Sequence, residues 1–180
     1  GGTTDVAIYK EGVIRHTAVI PFGGNVITDD IKYGCSILEK QAELLKKQYG
    51  SALQVACKEN ESVAVRGLRG REAKHISFKI LAGIIQARMT EIFSLVNQEI
   101  KNSGYEGKLI AGLVLTGGGA QLKHIKQLAK LEFASSVRIG YPDEHLSRDS
   151  AVKVNNPIYA TAIGLVKKSF EQNMSLDDEN

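Results

Sequence analysis

The fold is decided by a stretch that reads Leu113-Val114-Leu115-Thr116-Gly117-Gly118-Gly119-Ala120-Gln121-Leu122. Residues 109–116 are apolar nearly throughout, which predicts a strand buried on both faces of a sheet. Glycines allow a ligand to approach the backbone closely, and the helix predicted over 121–134 would direct free N–H groups towards an anion. The stretch therefore predicts a strand–turn–helix unit of an α/β protein, with either a ligand or a plain tight connection at the glycines.

The glycines match neither of two common nucleotide-binding motifs. The dinucleotide fingerprint would need a glycine at the position of Leu122, and the P-loop would need Lys-Ser or Lys-Thr after the glycines. Two further loops have a similar composition. Gly1-Gly2-Thr3-Thr4-Asp5 precedes a predicted strand and suits phosphate oxygens or hydrated Mg²⁺, and Gly23-Gly24-Asn25 precedes a predicted helix. Each loop alone is equally well a plain turn, but three of them in one α/β chain favour a nucleotide.

The composition is that of a folded protein. Apolar residues make up 43% and charged residues 24% of the 180 positions, which excludes a disordered or collagen-like chain. The formal net charge of +3 is too small to require a nucleic acid as partner. We find no apolar run long enough for a transmembrane helix and no signal-peptide features. The 2 cysteines suit a reducing cytoplasm, although one disulfide stays possible, and the 4 histidines lack metal-ligand spacing.

Hydrophobic periodicity predicts alternating strands and helices. The predicted elements are a β-hairpin over 5–20, helices at 29–35, 37–49 and 75–102, weak strands within 53–70, a strand at 137–139, and a last helix capped by Asn156. The longest helix carries an apolar stripe at helical spacing, formed by Phe78, Leu81, Ile85, Met89, Ile92, Val96 and Ile100. This order predicts an α/β sheet domain with a smaller insertion.

Two sets of charged residues are candidate binding groups. Glu43 and Lys46 lie one turn apart on the predicted helix 37–49, either as a solvated ion pair or as a polar pair that faces a ribose or a base. A basic cluster with a single acidic residue, Glu72, consists of Arg66, Arg69, Arg71, Lys74 and Lys79. This cluster is either a solvated surface or a site for an acidic peptide.

Several segments match known motifs. Residues 1–5 resemble the end of the phosphate loop D-x-G-G-G-T-T-D, and residues 20–31 resemble the segment I-P-x-G-G-x-x-I-T-x-D-I. Residues 42–50 resemble the helix A-E-x-x-K-x-x-Y-G, residues 113–122 resemble an adenosine loop, and residues 159–165 resemble a closing helix. In this order, the segments resemble the second half of an actin-like ATPase, and most closely the FtsA family of bacterial cell-division proteins, in which the helix A-E-x-x-K-x-x-Y-G faces ribose and adenine.

This resemblance implies the second half of an actin-like, ribonuclease H-like ATPase fold with a smaller α/β insertion subdomain. It places residues 1–36 and 116–170 in the larger subdomain, residues 37–115 in the smaller one, and residues 171–180 in a mobile tail. It implies ATP and Mg²⁺ as cofactors, bound in a cleft between two halves of which this chain would supply one wall. We therefore expect the chain alone to bind ATP weakly or not at all.

The resemblance also implies which residues contact the nucleotide. They are Gly1, Gly2, Thr3, Thr4, Gly23, Gly24, Glu43, Lys46, Gly117, Gly118, Gly119, Ala120 and Gln121. No catalytic residue and no protein-held metal ligand is assigned by it, and ATP turnover would be slow at most.

The partners implied by the resemblance belong to cell division at the inner face of the cell membrane. Members of this family bind the C-terminal tail of the tubulin-like protein FtsZ through the smaller subdomain, assemble into filaments, and attach to the membrane by a helix that we expect this chain to lack. The candidate tail-binding surface comprises Arg66, Arg69, Arg71, Lys74 and Arg88. The alternatives are a related ATPase of pilus assembly (PilM) or of cell shape (MreB), or a sugar or acid kinase of the same fold.

Overall fold

The computed structural model describes residues 1–67, 72–142 and 154–177. The strands within these ranges are β1 (Thr4–Lys10), β2 (Val13–Ile20), β3 (Ser62–Val65), β4 (Lys74–Ser77), β5 (Leu113–Leu115) and β6 (Val137–Ile139). The α-helices there are α1 (Gly24–Cys35), α2 (Glu39–Tyr49), α3 (Phe78–Asn102), α4 (Ile125–Phe133) and α5 (Ala160–Asp177). The strands of these ranges form three two-stranded sheets, β1–β2 and β3–β4 antiparallel and β5–β6 parallel.

The predicted β-hairpin is confirmed. Strands β1 and β2 pair in a register that places Lys10 opposite Val13, so the connection has only Glu11 and Gly12. Both residues have positive φ, at 56° and 75°, as the two central residues of a type I′ turn require.

Helix α1 begins at Gly24, so the prediction of a short helix at 29–35 was wrong about its start. The reason is tertiary. The backbone N–H of Asn25 donates to the carbonyl of Gly1 at 2.9 Å, which satisfies one of the first-turn donors of the helix. Gly23 permits this contact, because a Cβ there would lie 2.6 Å from the carbonyl oxygen of Gly1.

Helix α2 confirms the prediction over 37–49, although it begins at Glu39. Its buried face contains Ala42 and Leu45. Gly50 follows the last turn, where a Cβ would lie 2.2 Å from the carbonyl oxygen of Lys46. A glycine is therefore required at the end of α2 for close approach rather than for a left-handed conformation.

The long helix α3 confirms the apolar stripe, but it begins at Phe78, because residues 75–77, predicted as its first turn, pair with β3 as part of β4. Ser77 caps it by accepting a hydrogen bond from the backbone N–H of Lys79 at 3.2 Å. Its buried residues are Leu81, Ala82, Ile85, Met89, Ile92, Phe93 and Ile100. Helix α1 packs on this stripe, and so does α4, where Phe93 meets Phe133 edge to face at 5.1 Å between ring centroids.

The strand predicted over 109–116 is shorter and more exposed than expected. β5 has only 3 residues, Ile110 is 96% exposed, and Val114 is 49% exposed. Gly112 interrupts the run, because its φ of 76° is incompatible with an extended strand. Within the described ranges β5 pairs only with β6, so the prediction of burial on both faces was wrong.

The helix predicted over 121–134 also begins later. Residues Gly118–Gln121 form one 3₁₀ turn, called here the glycine turn, and His124 then adopts a left-handed conformation with φ 62°. Helix α4 starts at Ile125. Its free N–H groups therefore do not follow directly after the glycines, which removes the helix-terminus argument for anion binding there.

The predicted Asn156 cap is confirmed, on a 3₁₀ turn (Pro157–Tyr159) that leads into α5. Helix α5 continues to Asp177, into the stretch that the sequence analysis assigned to a mobile tail. None of the described helices is long and apolar enough to cross a membrane. The predicted division into two subdomains stays a prediction. One cluster of buried side chains includes Ile27, Leu81 and Leu128, which come from the predicted ranges 1–36, 37–115 and 116–170.

Two isoleucines of α3 test the role of its buried stripe. Ile85 is 0% exposed and Ile80 is 59% exposed. We expect Ile85→Ala to lower the free energy of unfolding by about 2–5 kcal/mol, because it leaves a cavity in the core. The matched variant Ile80→Ala should stay within about 0.5 kcal/mol of wild type. Urea unfolding followed by circular dichroism measures both, and equal losses would contradict the packing described above.

Candidate functional site

The first residues of the chain lie against the start of α1. The carbonyl of Gly1 accepts from Asn25, and a Cβ on Gly23 would meet the oxygen of Thr3 at 2.8 Å. The hydroxyl of Thr4 donates to the carbonyl of Phe22 at 2.8 Å, so its proton is used within the chain. Gly1, Gly2 and Thr3 are exposed. The structure thus brings the two predicted loops, 1–4 and 23–24, together.

Glu43 and Lys46 form a polar network with α1 rather than a solvated pair. The ammonium of Lys46 donates to the carbonyl of Gly24 at 2.6 Å and to the hydroxyl of Thr28 at 2.6 Å. The same ammonium lies 2.6 Å from a Glu43 carboxylate oxygen, and the Thr28 hydroxyl donates to that oxygen at 2.5 Å. Lys47 binds the other oxygen at 3.0 Å. The Lys46 side chain is only 11% exposed, so it is not the solvated partner of a surface ion pair.

The environment of Glu43 favours its ionised form. Burial raises the pKa of this carboxyl, but hydrogen bonds from Lys46, Thr28 and Lys47 outweigh burial and lower the pKa to about 2. Glu43 is therefore a carboxylate at neutral pH. Such a group accepts hydrogen bonds, as the hydroxyls of a ribose would supply.

An open cleft of about 510 Å³ lies between α1 and α2, beside this network. Its lining residues are Asn25, Thr28, Asp29, Glu39, Lys40 and Glu43. Among the described residues, no group of three or more acidic, histidine or cysteine side chains could hold a metal ion.

The glycine turn is held by the segment that precedes α5. The N–H of Gly117 donates to the carbonyl of Pro157 at 3.0 Å, and the Gln121 amide donates to the side-chain oxygen of Asn156 at 2.5 Å. Gly118 and Gly119 are exposed, and a Cβ at Gly119 would meet no atom within 4 Å. The chain's own packing therefore does not require glycine at position 119, whereas a ligand lying on the backbone would.

The segment after α2 connects the Glu43–Lys46 network with the region of the glycine turn. The N–H of Ala52 donates to the carbonyl of Lys123 at 2.8 Å, and the Ser51 hydroxyl lies 3.0 Å from Nδ1 of His124. Helix α2 thus carries Glu43 and Lys46, and the segment that follows it binds the segment that follows the glycine turn. The sequence pattern did not indicate that Thr28, Ser51, His124 and Asn156 belong to this arrangement. Thr28 lies one helical turn after Gly24, a signal that is visible only once α1 is known to begin there.

The basic residues of the candidate partner surface have different environments. Arg66 is exposed, whereas the ammonium of Lys74 donates to the carbonyl of Cys35 at the end of α1, at 2.6 Å. Arg88 makes a bidentate contact with Asp30 at 2.6 and 2.9 Å and also binds Glu91. The charge of Arg88 is thus matched by two carboxylates. Arg69 and Arg71 lie outside the described residues.

The network predicts a pH dependence of stability that depends on Glu43. Its pKa is lowered from 4.5 to about 2 in the folded chain, so ionised Glu43 stabilises the fold above about pH 4.5. That contribution is lost as the pH falls towards 2. We expect Glu43→Gln to show a weaker decline in the free energy of unfolding than wild type between pH 5 and about pH 3. Urea titrations at stepped pH measure this, with Glu39→Gln, the same charge change on α2 outside the network, as the matched control; an unchanged decline in Glu43→Gln would contradict the prediction.

Comparison with known proteins gives the family. The family model described as cell division protein FtsA matches residues 1–164. The cell division protein FtsA of Pseudomonas aeruginosa is 39% identical over 172 residues, which cover 96% of this chain and 41% of that protein. The FtsA of Escherichia coli is 37% identical over 186 residues, covering 99% of this chain and 44% of that protein. The chain thus spans less than half the length of these curated relatives.

Solved structures agree with this result on the fold. MreB5 of Spiroplasma citri, bound to ADP, superposes with a TM-score of 0.72 at 26% identity, covering 100% of this chain and 53% of that one. The MamK double helical filament superposes with a TM-score of 0.61 at 13% identity, covering 89% of this chain and 51% of that one. The chain therefore has the α/β fold of actin-like ATPases and belongs to the FtsA family of cell-division proteins.

Proposed function

We propose that the chain forms one wall of an ATP site. The observation that carries this proposal is the Glu43–Thr28–Lys46 network beside the backbone of Gly24, at the edge of an open cleft. The ammonium of Lys46 binds the Gly24 carbonyl oxygen and the Thr28 hydroxyl oxygen, and it thereby holds α2 at a defined spacing from α1. The related fold of MreB5 was solved with ADP, which supports a nucleotide as the ligand.

The residues present fit a nucleotide in distinct ways. The exposed backbone of Gly1, Gly2 and Thr3 offers N–H groups to phosphate oxygens, and the Glu43 oxygen that binds Lys47 has capacity left to accept from a ribose hydroxyl. The glycine turn offers exposed backbone, without side chains at Gly118 and Gly119, on which adenosine can lie. Since the described residues hold no three-ligand metal cluster, Mg²⁺ would accompany ATP through phosphate oxygens and water.

Gly119 supplies a test of nucleotide binding that is separate from stability. A Cβ there meets no atom of the chain, so Gly119→Ala should leave the free energy of unfolding within about 0.5 kcal/mol of wild type. It should weaken Mg-ATP binding by about fivefold or more, because the methyl group lies where the ligand approaches. NMR chemical-shift titration suits the expected affinity, weaker than about 1 μM for this chain alone.

The control for this variant is Gly164→Ala in α5, where a Cβ also meets nothing within 4 Å. Equal ATP affinity of wild type and Gly119→Ala would contradict the proposed place of the adenosine. Submicromolar, Mg²⁺-dependent binding by the chain alone would contradict the expectation that it supplies only one wall.

We further propose that the chain acts in cell division through the C-terminal tail of FtsZ, in a protein that self-associates into filaments at the inner membrane face. Membership of the FtsA family supports this. The candidate tail-binding surface centres on exposed Arg66, with Arg69 and Arg71 next to it in the sequence. Arg88 is a weaker candidate than the sequence suggested, because Asp30 and Glu91 already neutralise it.

Charge reversal tests the tail-binding surface. In fluorescence anisotropy with a labelled FtsZ tail peptide, we expect micromolar binding that weakens with salt and is absent for a scrambled peptide. Arg66→Glu should weaken binding by about fivefold or more, because it places a like charge opposite an acidic tail. Arg138→Glu, the same change at an exposed position of β6, is the control. Unchanged affinity of Arg66→Glu would remove this residue from the surface.

A further inference from the structure

Two hydrogen bonds join the segment after α2 to the segment after the glycine turn. One is a backbone bond from Ala52 N–H to the Lys123 carbonyl, at 2.8 Å. The other connects the Ser51 hydroxyl with Nδ1 of His124, at 3.0 Å. Ser51 is 3% exposed and Ala52 is 0% exposed, so water does not compete at this end of the contact. The contact is specific, because it uses one buried hydroxyl and one ring nitrogen.

The His124 side chain serves this contact rather than its own helix. His124 precedes α4 with a left-handed backbone, at φ 62°, and makes no side-chain cap with the helix N–H groups. Left-handed non-glycine residues are uncommon, and this conformation directs the imidazole to Ser51. A smaller left-handed residue would satisfy the local backbone equally well. The local chain geometry therefore does not explain the presence of an imidazole.

The bond survives either tautomer of the histidine. The Ser51 hydroxyl also lies 3.0 Å from the carbonyl of Leu53 and accepts from the Leu53 N–H at 3.2 Å. When Nδ1 carries no proton, Ser51 donates to it; when Nδ1 is protonated, Ser51 accepts and donates instead to Leu53. The pair thus acts as a permanent connection, not as a switch.

We propose that Ser51 and His124 are a positioning pair that fixes the glycine turn relative to α2, and so sets where adenosine lies between the turn and Glu43. This inference rests on the nucleotide site proposed above. Without the side-chain bond, the Ala52–Lys123 bond is the one hydrogen bond left between these two segments, and the turn can then pivot about it while Pro157 and Asn156 hold its other side. The segment 1–4 and Gly24 do not depend on this pivot, because they are held by α1 and Lys46.

The experiment compares two replacements at position 124. His124→Gly removes the imidazole without backbone strain, and His124→Asn tolerates the same left-handed backbone and keeps an acceptor near Nδ1. We expect His124→Gly to weaken ATP binding to the 180-residue chain by about fivefold, because ordering the loosened turn on binding costs about the net free energy of the lost hydrogen bond, and His124→Asn to stay within about twofold of wild type. Binding of inorganic tripolyphosphate should be equal in all three. Equal ATP affinity in all three proteins would overturn the proposal.

A second readout does not depend on nucleotide. The N–H groups of Ala120 and Leu122 donate to the carbonyls of Gly117 and Gly119, and their hydrogen exchange reports on the turn. His124→Gly should accelerate this exchange and His124→Asn should not. If the wild-type chain alone binds no measurable ATP, one wall does not suffice for binding, and the exchange rates alone then decide on the positioning pair. Unchanged rates, or strictly additive effects of Ser51→Ala and His124→Gly, would overturn it.

Discussion

The buried face of α3 is the surface on which the other elements are assembled. Leu81 and Ile85 are 0% exposed at the first turns of this helix, and Ile92 and Phe93 continue the stripe. Helix α1 packs on one part of it and helix α4 on another. Because α1 begins at the first candidate loops and α4 follows the glycine turn, the same apolar stripe positions both. Hydrophobic burial along α3 thus fixes where α1 and α4 lie, and the polar contacts of the site form between elements that this packing has already positioned.

Polar contacts then attach α2 to the elements that α3 positions. Lys46 and Glu43 attach α2 to the first turns of α1 through Thr28 and the Gly24 carbonyl. Such a partly buried charge network is stable only when each member has partners, which is the case here. Ser51 attaches the far end of the same helix to the segment after the glycine turn. Helix α2 is therefore the element through which the two halves of the candidate site are related.

Much of the fold could be predicted because it follows from local patterns. The two-residue turn at Glu11–Gly12 and the stripe of α3 are encoded in turn chemistry and in helical periodicity. The boundaries that were wrong depend on distant partners. The start of α1 uses the carbonyl of Gly1, and the shortened β5 reflects a φ of 76° at Gly112 that allows no extended strand. The exposure of Arg88 could not be read from its position either, because Asp30, which binds it, lies on another helix.

The sequence by itself determined the family, the order of strands and helices, and the candidate loops, because these depend on residue types at short and regular spacings. The tertiary structure alone decided which of those residues meet. It paired Lys46 with Thr28 and Gly24, and it placed Ser51 against His124 across 73 positions of the chain. Contacts at such separations depend on how helices pack in three dimensions, and no local pattern of residues specifies them.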